Sequence, residues 1–161
     1  MIHYRNDVAG SGVDGRALVA AARRLLDALD EAGSTLSLRL VNDRAIRSIN
    51  RTHRGQDAPT DVLSFPLAEG SAGIGRGAMP ERLLGDVVIS VETARRQAQG
   101  YDAPLQDELY RLLIHGVLHV VGHDHVRARE RRRMEGEERR LAAAIGLRWP
   151  YDDAAPPGAQ R

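Results

Sequence analysis

The sequence predicts one domain of the α+β class, built from four strands and about five helices. Its 161 residues are enough for one hydrophobic core and too few for two. Apolar residues make up 42% and charged residues 28%, as in ordinary globular proteins. Four segments have the alternation or the short apolar run of a β-strand, and five segments carry apolar residues at helical spacing.

The chain begins with a strand and a helix. Residues 2–5 form a short strand-like segment. Asp14 can cap a helix over about 15–32, in which leucines and alanines recur at helical spacing, so we expect one buried face. Gly33 is expected to end this helix, because glycine readily adopts the backbone conformation of a helix terminus.

A second strand and a second helix follow. Residues 34–41 alternate, with three leucines on one side, which predicts a strand with one buried face. Asn42 or Asp43 can cap a helix that runs to about Arg51. The polar stretch 52–60 contains a glycine and a proline and is predicted to be a loop.

Two further strands flank a glycine-rich stretch. The strand 61–65 is closed by Pro66, and 83–91 is expected to be a central strand that leads into a helix over about 92–99. Residues 69–79 contain four glycines but match neither glycine fingerprint of nucleotide-binding loops. We therefore predict a surface loop there and no nucleotide cofactor.

The last part of the chain is predicted to be helical. One helix begins at Pro104, a favourable residue for a first turn, and ends at Gly122. Its broad apolar face predicts a central position in the fold. A final helix over about 127–145 carries arginines and glutamates that suit a solvated surface. The domain is expected to cover 1–149, with 150–161 as a disordered tail.

Composition narrows the possible function classes. The absence of cysteine excludes a disulfide scaffold and thiolate metal sites, so nitrogen and oxygen atoms must bind any metal. The net charge of +1 does not by itself indicate a nucleic-acid-binding protein. All 23 basic residues are arginine and none is lysine. Genomic composition bias is the simpler explanation of this preference, and phosphate recognition by arginine is the functional explanation. With no signal peptide or membrane-length apolar stretch, we expect a cytoplasmic protein.

Four of the six histidines fall within residues 115–125, HGVLHVVGHDH. His115 and His119 are four residues apart, which places them on the same helix face, where they can share a metal ion. Gly122 can turn the chain and bring His125 toward that ion. Three imidazoles would occupy three of the four tetrahedral positions of zinc and leave one for water or substrate. His123, His3 and His53 are not expected to be ligands.

An open zinc position favours hydrolysis, because zinc lowers the pKa of bound water to about 7. The spacing H-x-x-x-H-x-x-G-x-x-H is also that of the metzincin peptidases, which carry a glutamate directly after the first histidine as general base. Gly116 stands at that position here. The sequence therefore predicts a zinc hydrolase that is not a standard peptidase.

The histidine stretch and three upstream segments together resemble the YbeY family. His115–His125 matches the family signature H-G-x-L-H-x-x-G-x-D-H, and Asn50–Pro66 matches N-x-x-x-R-x-x-D-x-P-T-D-V-L-S-F-P. Leu84–Asp86 and Asp107–Leu109 are two shorter matches. The four segments occur in the family's order.

This resemblance implies a mixed sheet of about four strands packed with helices, with the histidine helix at the centre. It implies one zinc per chain, bound by His115, His119 and His125. It also implies catalytic roles for His115 and Arg54, and Arg54 is expected to bind the substrate as well. The implied activity is cleavage of single-stranded RNA in 16S ribosomal RNA 3′-end maturation and in ribosome quality control. The implied partners are precursor RNA, the small ribosomal subunit and its assembly factors.

Two other classes stay open at this point. One is a metallopeptidase that uses another base, such as Glu108, although Gly116 argues against it. The other is a ribosome assembly factor without catalytic activity, in which a metal only stabilises the fold. The open coordination position is a weak argument against that class.

Overall fold

A computed structural model describes residues 1–67, 82–123 and 127–149. The strands are β1 (Ile2–Asn6), β2 (Ser34–Val41), β3 (Val62–Pro66) and β4 (Arg82–Ser90). The helices are α1 (Gly15–Ala28), α2 (Asp43–Arg54), α3 (Val91–Gly100), α4 (Leu105–Val120) and α5 (Ala128–Ala144). All nine predicted elements are therefore present in the predicted order.

The four strands form one mixed sheet in the order β1-β2-β4-β3. β1, β2 and β4 run parallel, so Tyr4 lies beside Leu38, which lies beside Val87. β3 runs antiparallel to β4 at the sheet edge, with Ser64 beside Val87. The expected α+β class with a mixed four-stranded sheet is confirmed, and β4 is a central strand as predicted.

The main core lies between one sheet face and the helices α1, α3, α4 and α5. Because successive strand residues point to opposite faces, Leu36, Leu38 and Leu40 of β2 all enter this core. α4 lies at its centre: it contacts α1, α3, α5, β3 and β4, and its buried residues include Leu112 and Leu113. Such burial contributes about 1.5–3 kcal/mol for each large apolar side chain.

The opposite sheet face is covered by α2. Ile46 of α2 packs with Val41, Leu63 and Val88 in a second, smaller core, and Ile49 and Phe65 pack against it from its edge. α2 thus attaches by one narrow apolar side and leaves the rest of its surface in solvent.

Two helix ends differ from the sequence prediction. α1 ends at Ala28 instead of about residue 32, since Asp30 has a φ of 57° and already leaves the helical conformation, so Gly33 does not end the helix. α2 continues past Arg51 to Arg54 and ends at Gly55, which has a φ of 69°. The glycine of the predicted loop is thus the helix terminus, and Arg54 lies in the last helical turn, not in a loop.

Three sequence predictions lie outside the described residues. They concern the glycine-rich stretch 69–79, the tail 150–161 and the ligand His125. Within the described ranges, no helix is long and apolar enough to cross a membrane.

Candidate active site

α4 carries His115 and His119 one turn apart, and the structure brings their rings together as the spacing predicts. The two Nε2 atoms are 3.1 Å apart, and the rings are nearly perpendicular, with centroids 4.6 Å apart. Two ligand nitrogens of a tetrahedral zinc lie about 3.3 Å from each other, given zinc–nitrogen bonds of about 2.0–2.1 Å. The pair therefore fits one shared ion, although the distance also suits a hydrogen bond between two imidazoles.

The close packing around position 116 explains why a glycine and not a glutamate follows His115. This residue is buried where α4 crosses the sheet, and a Cβ atom built on it would lie 2.7 Å from Cγ1 of Val87 and 3.3 Å from Oγ of Ser64. The Ser64 hydroxyl also donates a hydrogen bond to the Gly116 carbonyl at 3.2 Å. Because the position faces the sheet at van der Waals distance, it has no room for any side chain.

The turn after α4 follows the prediction for Gly122. This glycine has a φ of 105°, and the backbone N–H of His123 donates to the Leu118 carbonyl at 2.9 Å. The helix thus ends directly after the two histidines. Within the described residues no group of three possible ligand side chains is present, and His125 as a ligand stays a prediction.

Arg54 reaches the same site from the other sheet face. Its Nη2 donates to the Ser64 carbonyl at 3.1 Å, and its guanidinium lies 5.8 Å from the centre of the Phe65 ring. The loop after α2 is fastened by Asn50, whose Nδ2 donates to the Ala58 carbonyl at 2.9 Å. A cavity of about 340 Å³ joins Arg54 to the histidines; it is lined by Arg54, Val62, Ser64, Pro66, His115, His119, Gly122 and His123.

Glu138 of α5 lies beside the site and was not identified from the sequence. Its Oε1 lies 3.9 Å from Nδ1 of His115, on the side of the ring opposite Nε2. At this distance the carboxylate faces Nδ1 without a direct hydrogen bond to it. A usable signal existed, because Glu138 follows Met134 by four residues and precedes Leu141 by three, so it shares their inward helix face.

Glu108 is unsuited to the role of an alternative base. Its side chain is fully buried, and Arg111 donates to it from Nη2 at 2.5 Å and from Nε at 3.0 Å. It also lies seven residues before His115, which is about 10 Å along the helix axis. Both carboxylate oxygens of Glu108 are thus occupied by hydrogen bonds from Arg111.

Comparison with known proteins identifies a consistent set of relatives. A family profile described as endoribonuclease YbeY matches residues 6–146. A protein of that name from Myxococcus xanthus is 48% identical over 139 residues, which are 86% of this chain and 46% of the relative. This chain thus spans about half the length of that relative.

Two other relatives of the same name are covered over most of their length. The one from Rhizobium meliloti is 43% identical over 84% of this chain and 78% of its own length. The one from Syntrophotalea carbinolica is 43% identical, over 90% of this chain and 95% of its own length. A solution structure from Thermotoga maritima has the same fold, with a TM-score of 0.61 and 24% identity, over 90% of this chain and 89% of the other.

Proposed function

This chain belongs to the endoribonuclease YbeY family, and on that basis we propose that it is a zinc-dependent endoribonuclease specific for single-stranded RNA. The observation that carries the proposal is the meeting of His115, His119 and Arg54 in one cavity, although Arg54 comes from the opposite side of the sheet. A metal-binding pair beside a cation that can bind phosphate suits phosphodiester hydrolysis.

In this proposal one zinc ion is held by His115, His119 and His125. The fit rests on the 3.1 Å separation of the first two Nε2 atoms and on a donor set without thiolates. Zinc would supply a Lewis acid for the phosphoryl group and for the attacking water. Glu138 faces Nδ1 of His115, and a carboxylate there favours the tautomer in which Nε2 is free to bind metal.

Arg54 would bind the phosphate that is cut. A guanidinium has five N–H donors, and the bond to Ser64 uses one, so other N–H groups can pair with phosphoryl oxygens. The carbonyl of Ser64 and the nearby ring of Phe65 restrict the arginine side chain. A charge held in place before the reaction stabilises the negative charge that develops in the transition state.

The proposed substrate is precursor 16S ribosomal RNA, cut near its 3′ end, and the proposed wider role includes ribosome quality control in the cytoplasm. An open cavity suits unpaired RNA, whose backbone can bend toward the histidines. Because the net charge is only +1, affinity must come from a local basic surface or from partners such as the small ribosomal subunit and its assembly factors.

The test incubates purified protein with single-stranded RNA, duplex RNA and casein, each with and without chelator. We expect cleavage of single-stranded RNA alone, abolished by chelator and restored by zinc. His119→Ala should abolish it, while His3→Ala, which removes an exposed histidine of β1, should not. Chelator-sensitive cleavage of casein with intact RNA would support a peptidase. Zinc binding without any cleavage would support an assembly factor without catalytic activity.

A further inference from the structure

Four arginines form a stripe along α2, and we define the arginine stripe as Arg44, Arg47, Arg51 and Arg54. Their spacing of three, four and three residues places them within an arc of about 80° on a helix with 3.6 residues per turn. All four are exposed. The stripe extends along about 15 Å of helix, at a rise of about 1.5 Å per residue.

The first three members of the stripe, Arg44, Arg47 and Arg51, lie on the side of α2 that faces away from the sheet. Ile46 and Ile49 attach the helix to the second core, and their direction on the helix is roughly opposite to that of the arginines. These three arginines therefore add little to the packing of α2, and their common direction calls for another explanation. Arg54, at the end of the helix, turns toward Ser64 and Phe65 instead. A solvated helix face usually mixes charges of both signs, as α5 does.

The acidic residues near the stripe neutralise only part of its charge. Asp57 pairs with Arg47 through two hydrogen bonds of 2.9 and 3.2 Å, and this guanidinium lowers the pKa of the Asp57 carboxyl. Asp43, the one acidic residue of α2, turns toward α3 and accepts three hydrogen bonds of 2.5–2.8 Å there. In the described part of the chain, Arg44 and Arg51 form no ion pair.

The stripe leads to the candidate active site. Its last member, Arg54, lines the histidine cavity. Its first three members lie beside a shallow surface depression of about 460 Å³, lined by Arg44, Arg47, Ser48, Arg51 and Asp57. Positive charge therefore continues from the start of α2 to the site, on a protein that is nearly neutral as a whole.

We propose that the arginine stripe binds the phosphate backbone of single-stranded RNA and guides it into the histidine cavity. This inference rests on the proposed function and adds the surface that holds the substrate outside the reacting phosphate. Guanidinium groups contact phosphates whatever the base sequence, so the stripe supplies affinity and direction and not sequence choice.

The test measures RNA affinity apart from cleavage. Arg44→Ala/Arg51→Ala is made in a His119→Ala background, and binding is followed by fluorescence anisotropy between about 50 and 200 mM salt. The probe is an unstructured RNA longer than a single-strand site of about 4–16 nucleotides. Each lost phosphate contact should reduce the salt slope by about 0.7, so the double variant should lose about 1.4 in slope and about 25-fold in affinity at 0.1 M salt.

Two matched variants control for charge and for folding. Arg23→Ala/Arg24→Ala removes two exposed arginines of α1, which packs on the other sheet face, and should leave the slope unchanged. Arg44→Lys/Arg51→Lys keeps both charges and should retain most of the slope. Alanine and lysine are both good helix formers, so the melting temperature of each variant should stay within about 2 °C of that of the unchanged protein.

The outcomes separate this inference from the proposed function. If Arg44→Ala/Arg51→Ala binds RNA with unchanged slope, the inference is wrong even when the protein cleaves RNA. If Arg131→Ala/Arg132→Ala on α5 has the full effect instead, the RNA approaches along α5 and the inference is again wrong. If the wild-type protein binds RNA through the stripe but never cleaves it, the inference holds and the proposed function fails.

Discussion

Replacing Gly116 by alanine tests how closely α4 packs on the sheet. The added Cβ would lie 2.7 Å from one methyl group of Val87 and 3.2 Å from the other. Both methyl groups belong to a fully buried strand residue, so they cannot move aside without displacing the core. Forcing extra carbon atoms into a packed core typically costs about 1–3 kcal/mol.

Helix propensity acts in the opposite direction and has to be separated from this cost. Alanine is favoured over glycine inside a helix by about 1 kcal/mol. Gly136 of α5 is the matched control, because a Cβ there would meet no atom within 4 Å. Gly136→Ala should therefore stabilise the protein by about 1 kcal/mol, and Gly116→Ala should be about 1–3 kcal/mol less stable than this control.

The assay is thermal and urea unfolding of both variants. At about 3 °C per kcal/mol for a protein of this size, their melting temperatures should differ by about 3–9 °C. Adding Val87→Ala should relieve part of the cost of Gly116→Ala, with a coupling free energy of about 0.5–3 kcal/mol. If Gly116→Ala stabilises the protein as much as Gly136→Ala does, the close packing is refuted, and with it the explanation for the absent glutamate.

The remaining predictions concern the site itself. A single site should hold about one zinc per chain, measured by elemental analysis. His119→Ala should lose most of this zinc, whereas His3→Ala should retain it. Full occupancy in His119→Ala would show that the ligand assignment is wrong. Arg54→Ala should keep its zinc, and because the residue is exposed, its stability should change by no more than about 0.5 kcal/mol. RNA cleavage by this variant should nevertheless fall about a hundredfold. Arg54→Lys should not fully restore cleavage. Normal cleavage by Arg54→Ala would make this arginine an ordinary surface residue. Glu138→Gln should weaken zinc binding about 10- to 100-fold, measured by competition with a chelator. Glu135→Gln, an exposed substitution on the same helix, should leave zinc binding unchanged. Equal zinc affinities of the two variants would mean that Glu138 does not orient His115.

The sequence by itself determined most of the local structure and the family. Its alternating and helical patterns predicted all nine elements, because the burial of apolar side chains imposes the period of each element on the sequence. The pairing of His115 with His119 was predictable for the same reason, since residues four apart share a helix face. The family indicated by the motifs is confirmed by the match over residues 6–146, and with it the nuclease class at the level of the family.

Where α2 ends was misjudged from local composition. A polar stretch with a glycine and a proline predicted a loop from residue 52, but exposed arginines are compatible with a helix, and basic residues favour its C-terminal turn. The left-handed Gly55 sets the actual end, so Arg54 belongs to α2. This difference matters because it makes Arg54 the last member of a helical stripe.

Only the tertiary structure decided which distant residues meet. Arg54 and the histidines come from opposite faces of the sheet and meet at its edge, where β3 is the last strand. The position of Gly116 against Val87 and that of Glu138 beside His115 likewise depend on how α4 is packed between β4 and α5. Sequence periodicity defines which face of an element is buried, but it contains no information about which other element covers that face. That choice depends on the shapes and volumes of all the packed side chains together.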